Sequence, residues 1–358
     1  MAKLFEPITL RGLTVRNRVW LAPMCQYSCE DRDGMPGTWH LVHLGARATG
    51  GFGLILTEAA AVLPEGRISP QDAGIWSDAH AEAWAPIVDF AHSQGAAIGM
   101  QLAHAGRKAS TYRPFLGEPT GSVPEAAGGW ATLGPSAVAF DGLAEPAALS
   151  AEAIAEVVEA FAAAARRADA AGFDTVEIHA AHGYLLHSFL SPLSNVRDDA
   201  YGGDLAGRSC LLMEVFAAVR AAFPAEKPVL VRISATEWTA GGFDIAEATE
   251  VAIALQDSGC DLIDVSSGGN VIADIPIGPS YQVPLAAEIS AAGVTTGTVG
   301  LITEPTQAES ILVSGDADVV LLARAGLREP AWPQRAAHAL GLNWREAPYP
   351  LQYTRGKW

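Results

Sequence analysis

Eight short apolar segments recur along this chain with helix-like stretches between them, and that alternation constrains the fold more than any other feature. The strand candidates lie at 18–23, 53–58, 97–103, 175–180, 228–234, 261–266, 294–299 and 318–323. Each is rich in Val, Ile or Leu, as expected of strands covered on both faces. Helical patterns fall at about 80–94, 150–171, 207–222, 246–258, 304–314 and 329–340. The clearest is 150–171, where Ser150 suits an N-cap and Gly172 a helix stop. Eight strands with intervening helices predict an α/β fold, a (β/α)8 TIM barrel. A doubly wound sheet is the alternative, but no G-x-G-x-x-G follows the first strand. The glycines between Gly45 and Gly53 lack that spacing.

Around this frame, residues 5–18 alternate apolar and polar about Arg11-Gly12 and predict a β-hairpin ahead of the barrel. Residues 105–149, rich in Gly and Pro and carrying Trp130, read as an excursion after the third strand that caps the barrel. Residues 267–283 form a second, shorter loop. Long loops at strand C-termini are where barrels build sites. With no repeat, linker or low-complexity tract, we expect one domain spanning 1–358, with 343–358 as a C-terminal tail. The net charge of −17 argues against nucleic acid or anionic membrane as partner. The four cysteines are too few for a disulfide scaffold and suit a reducing cytoplasm. No apolar run is long enough to span a bilayer, and Met1 to Phe5 lack a signal-peptide core.

The richest chemistry lies at the end of the fourth strand, in His179-Ala180-Ala181-His182-Gly183-Tyr184. Imidazoles can donate hydrogen bonds to an oxygen that gains charge, and a phenol can deliver a proton. A single His there would read as a packed strand end, but three polar rings within six residues favour a site. The first strand ends in Ala22-Pro23-Met24-Cys25-Gln26-Tyr27. Cys25 is either a small buried hydrophobe or a site residue beside Tyr27. Gln101, near the end of a buried strand, must find partners there. Arg232, between Val231 and Ile233, requires an acidic neighbour or a bound anion. Gly300 and Ala323-Arg324-Ala325-Gly326 end the last two strands, the corner where barrels commonly hold phosphate. Arg324 suits a phosphate as a planar, permanent cation.

Together these segments resemble the old yellow enzyme family, and most closely its thermophilic-like branch. The resemblance rests on Pro23-Met24-Cys25-Gln26-Tyr27, on Gln101-Leu102-Ala103-His104-Ala105-Gly106-Arg107-Lys108 and on His179 to Tyr184. Ser191-Pro192-Leu193-Ser194-Asn195 and Tyr201-Gly202-Gly203 add to it, in barrel order from about Leu4 to the end of the chain. It implies non-covalent FMN, with Ala22, Pro23, Met24, Cys25, Ala59, Gln101 and Arg232 around the ring and ribityl chain. It puts Gly300, Ala323 and Arg324 at the phosphate. His179 and His182 would bind the carbonyl oxygen of the substrate, Tyr184 would give the proton, Tyr27 would line the pocket and Cys25 would tune the flavin. NADPH or NADH would be the hydride donor and an α,β-unsaturated carbonyl compound the acceptor. Ala323 departs from the Gly expected before the phosphate-binding Arg. The tail 352–358 resembles a segment that brings Arg355 into the active site of a neighbouring subunit, in a homodimer or homotetramer. A frayed terminus is the other reading of the tail.

Other chemistries use the same residues. A non-redox lyase or isomerase barrel would employ His179, His182 and Lys108. A zinc hydrolase would need a further ligand at suitable spacing, which is not seen. Iron–sulfur relatives need a late cysteine cluster, whereas the last cysteine here is Cys260.

Overall fold

In the computed structural model, which describes residues 2–358, the apolar segments separate into an inner and an outer face of one closed barrel. The hairpin comes first, as β1 (Ile8–Leu10) and β2 (Leu13–Val15), paired antiparallel. The barrel then opens with β3 (Val19–Leu21), β4 (Leu54–Ala61) and β5 (Ala97–Ala103). Two short strands, β6 (Leu133–Gly134) and β7 (Ala147–Ala148), form a separate ladder inside the 105–149 excursion. Barrel strands resume with β8 (Thr175–Ala180), β9 (Val229–Ser234) and β10 (Leu262–Ser266). They end with β11 (Thr296–Thr298) and β12 (Val319–Leu322). All eight pair in parallel, and β12 returns to β3 through Val320–Val19 and Leu322–Leu21. The doubly wound alternative is thereby excluded.

Ten α-helices are described, against six read from sequence. The expected six are α2 (Asp78–Ser93), α3 (Ala151–Ala170), α5 (Leu205–Ala222), α6 (Ile245–Asp257), α8 (Pro305–Ser314) and α10 (Trp332–Ala339). Ser150 caps α3 by accepting from the Ala153 N–H, and Gly172 follows it at φ +93°. The four additions are α1 (Thr38–Gly50), α4 (Leu185–Leu190), α7 (Val283–Ala291) and α9 (Arg324–Arg328). In α1 the exposed Trp39 and Val42 blur the polar face that would mark a helix. Helices α4 and α9 are too short to show a period.

Strand alternation sorts the core. Val19, Leu21, Ile98, Met100, Ile178, Val231 and Ile263 belong to one apolar cluster with the surrounding helices. Trp20, Leu54, Leu56, Leu230, Leu262 and Leu321 belong to a second cluster, joined by Leu10 and Val15 of the hairpin. The hairpin therefore seals the N-terminal end of the barrel, where each buried Leu contributes roughly 1.5–3 kcal/mol. Higher along the strands the buried residues become polar: Gln101, Glu177, Arg232 and Asp264.

Strand β4 carries a bulge that sequence alternation does not reveal. Leu56 pairs with Gly99 but Ala59 with Gln101, so one extra residue intervenes. The slip reverses the alternation beyond it: Ala59 takes the inward register and Glu58 turns away towards α1. The strand also runs to Ala61, past the expected end at 58. Loop 105–149 is held down by the buried Arg107, which donates to Val138 O at 3.1 Å, Ala139 O at 3.2 Å and Asn270 Oδ1 at 2.8 Å. Trp130 adds a bond from its indole N–H to Glu65 O at 2.8 Å. No helix among the described residues is long and apolar enough to cross a membrane.

Candidate active site

The C-terminal ends of β8, β9 and β10 bring the key side chains together. His179 is the fifth residue of β8, and its register partner is Arg232 on β9. The chain then bends through His182, at φ +59°, and Tyr184 opens α4. The His179 ring lies 5.2 Å from that of His182 and 5.0 Å from that of Tyr184, both edge-on. Two glycines permit this close approach. A Cβ on Gly183 would stand 2.3 Å from Gly269 O, and one on Gly269 would stand 2.7 Å from His182 Cα. Lys108 holds the same seam, donating to His182 O and Gly269 O at 2.8 Å each. That amine is thus occupied and lies over the Tyr184 ring at 5.2 Å. Burial, with Arg107 nearby, lowers it to about 8.

Burial pushes His179 and His182 well below the usual imidazole range, and the Arg232 charge adds to the shift. Both are neutral at pH 7, so each can donate through one nitrogen only. His179 Nδ1 is buried without a hydrogen-bond partner. Burial also pushes the Tyr184 phenol well above its usual range, with Cys25 and Asp72 contributing, which keeps its proton on. Tyr27 and Cys25 shift upward for the same first reason. Cys25, Tyr27, Tyr184 and Trp130 share a small apolar cluster with Ile68, Ala105 and Ala109.

Beneath these rings lies a buried polar layer in which Gln101 and Arg232 were read from the sequence and their acidic partners, Glu177 and Asp264, were not. Gln101 finds its partner in Glu177, with Nε2 donating to Oε1 at 2.8 Å. Arg232 finds Asp264, Nε to Oδ2, at 3.0 Å. Burial raises both carboxyls; Asp264 pushes Glu177 further up, and Arg232 pulls both back. The available signal was the two-residue spacing of Glu177 with His179 and of Asp264 with Ser266 inside apolar strands. Glu58 was missed too. It accepts from the Gln26 N–H at 2.8 Å and stands 3.1 Å from His40 Nε2, while His40 Nδ1 accepts from the Gly37 N–H at 2.9 Å. A buried carboxylate thus pins the loop between Cys25 and Tyr27, where Tyr27 sits at φ +53°.

Beside Arg232 opens a cavity of about 160 Å³ whose lining includes Ser266, Gln282, Gly300, Ala323, Arg324 and Arg328. Arg328, absent from the sequence reading, lies one helical turn beyond Arg324. Ala22 and Ala59 are buried, while Met24 and Cys25 are half-buried. Arg355 does not join these groups through any bond: it is exposed in the short turn Leu351–Gly356.

Fold and mouth together define a barrel enzyme with neutral donor rings beside a guanidinium-lined cavity. The chain belongs to the NADH:flavin oxidoreductase / NADH oxidase family, whose profile matches residues 3–343. It is 46% identical over 356 residues to an NADPH dehydrogenase of Bacillus subtilis, covering 99% of each chain. Among solved structures, morphinone reductase superposes with a TM-score of 0.79 at 28% identity, over 95% of this chain and 90% of that one. An old yellow enzyme homologue from Zymomonas mobilis gives 0.79 at 30% identity, over 97% and 99%. The protein is an oxidoreductase of the old yellow enzyme type that works with FMN and a reduced nicotinamide. The lyase and isomerase alternatives fall with that membership.

Proposed function

We propose that this protein is an FMN-dependent ene-reductase that uses NAD(P)H to reduce the C=C bond of α,β-unsaturated carbonyl compounds, such as enones and maleimides. The observation that carries this reading is the convergence of His179, His182 and Tyr184, all neutral, on the mouth above Arg232.

The residues present fit FMN. The cavity has one guanidinium at its buried side, Arg232, and two near its surface, Arg324 and Arg328. Gly300, at φ +130°, leaves room there: a Cβ would stand 3.1 Å from Gln282 Nε2 and from the Tyr281 ring. Ala22, Pro23, Met24, Cys25, Ala59, Gln101 and Arg232 would hold the ring and ribityl chain. Gly300, Ala323 and Arg324 would hold the phosphate. The chemistry that bound FMN would supply is hydride transfer, from the nicotinamide to the β-carbon of the enone.

The protein groups supply position and charge. Arg232, at the buried side of the cavity, would offset negative charge on the bound flavin. His179 and His182 each direct one N–H at the carbonyl oxygen, where charge builds as the β-carbon is reduced. Tyr184 holds the proton that the α-carbon needs, and its raised pKa keeps that proton in place until then. Tyr27 lines the substrate pocket, and Cys25, kept as a thiol, tunes the flavin site. Lys108, with its amine bound to two carbonyls, supports the His182–Gly269 seam.

At larger scale the proposal is one domain, a cap at 105–149 and a tail at 343–358, working in the cytoplasm as a homodimer or homotetramer. Arg355 would reach a neighbouring mouth. In support, Leu351, Tyr353 and Trp358 around it are strongly exposed.

Because nicotinamide and enone would share one mouth, they take turns. Double-reciprocal plots at several enone concentrations are expected to be parallel. Intersecting lines, with product inhibition revealing a ternary complex, would contradict the reading.

A further inference from the structure

From the hydrogen bonds around His182 we infer that Ser266 is a positioning residue. It fixes the imidazole tautomer so that Nδ1 carries the proton and Nε2 does not. This rests on the ene-reductase reading only for the use to which that proton is put.

Ser266 Oγ lies 2.7 Å from His182 Nε2, at the C-terminal end of β10. The direction of that bond depends on where the Ser266 proton goes. Among the described residues its one other acceptor is Gln282 Oε1, at 3.4 Å. The orientation of the Gln282 amide is itself fixed, because Nε2 donates to Val299 O at 2.9 Å. Its oxygen already accepts from Ser267 Oγ at 2.6 Å. The 2.7 Å separation suits a hydroxyl donor, being shorter than the roughly 2.9–3.0 Å usual for an N–H donor, and Gln282 Oε1 is already engaged at 2.6 Å by Ser267. Ser266 therefore donates to His182 Nε2, and the ring, being neutral, must carry its single proton on Nδ1.

Among the described residues, none takes up that Nδ1 proton. The backbone around the ring is also locked, since the His182 N–H donates to Ser234 Oγ at 3.0 Å and His182 O accepts from Lys108. Ser234 in turn donates to Gly268 O at 2.9 Å. A neutral imidazole left to choose would present either a donor or a lone pair to a substrate oxygen. A lone pair there would repel the oxygen instead of holding it. One hydroxyl removes that choice.

The test uses the FMN-loaded enzyme with 15N-labelled histidine, and reads the tautomer of each ring from long-range 1H–15N spectra at pH 7. His182 is assigned by the signals lost in His182→Gln. The expected wild-type pattern is a protonated Nδ1 and a bare Nε2. Ser266→Ala is expected to shift the ring towards the Nε2–H form and to raise the KM for 2-cyclohexenone roughly tenfold at saturating FMN. Ser266→Thr, which keeps the hydroxyl, is expected to restore both. A wild-type His182 protonated on Nε2 would overturn the inference, as would a tautomer unchanged in Ser266→Ala. An Nδ1–H tautomer in an enzyme that does not turn over enones would instead leave the inference standing and remove the proposed reaction.

Discussion

His179, His182 and Tyr184 have different roles although their rings lie about 5 Å apart, so single substitutions are expected to separate them. Tyr184→Phe keeps the ring packing but removes the proton. Stopped-flow measurement is expected to show reoxidation by enone slowed at least about 100-fold, with reduction by NADPH changed less than about twofold. Equal slowing of both steps would remove Tyr184 as proton donor. Asp72 offers a test through stability. Burial, with Glu58 adding, pushes its carboxyl up to about 7, although it accepts from the Ile68 N–H and Ser69 hydroxyl. A raised folded pKa means stability that is full below the unfolded pKa, near 4, and lost as pH rises towards 7. Wild type is therefore expected to lose stability relative to Asp72→Asn over that window, on the order of a few kcal/mol. Urea unfolding at pH 4.5 and pH 7 reads it, and a difference independent of pH would contradict it. The rings themselves were legible because His179, His182 and Tyr184 are close in sequence and their resemblance is specific. Glu58, Asp264 and Ser266 were not, because their partners arrive from other strands and loops: Gln26 is 32 residues from Glu58, and His182 is 84 residues from Ser266.

Among the elements, the bulge in β4 shows how a local irregularity serves the site. It frees Glu58 to hold the Cys25–Tyr27 loop from outside the barrel and leaves Ala59 in register with Gln101. Glu58→Ala strips the Gln26 N–H of its buried partner, which costs roughly 1–3 kcal/mol. Calorimetry is expected to show Tm lowered by about 5 °C, with the KM for enone raised several-fold. An unchanged KM would mean that the loop does not need this anchor. Gly300→Ala tests the phosphate corner. It places a Cβ against Gln282 and Tyr281 at a backbone angle that L side chains rarely adopt, and is expected to weaken FMN binding at least about tenfold by fluorescence titration. An unchanged affinity would move the phosphate elsewhere. The eight strands were legible because strands buried on both faces make continuous apolar runs. The bulge was not, because it replaces one register by another without changing composition. Helix α1 was hidden by its exposed Trp39 and Val42.

The whole molecule is a barrel closed at one end by its hairpin and open at the other to chemistry. Its lower interior is apolar, its middle holds paired charges, and its mouth carries neutral donors. Loops 105–149 and 267–283 both reach that mouth, and Arg107 ties them together. The barrel and its hairpin could be read from strand count and alternation; the stitching of the loops could not, since it depends on backbone carbonyls that sequence does not display. The central claim, that this mouth holds a flavin reduced by nicotinamide and reoxidised by an enone, is tested most directly by an anaerobic absorbance titration. The account predicts a yellow protein whose flavin band bleaches on adding NADPH and returns on adding 2-cyclohexenone. A band that bleaches but does not return with enone would contradict the proposed acceptor, and a protein that stays colourless after incubation with FMN would contradict the cofactor site itself.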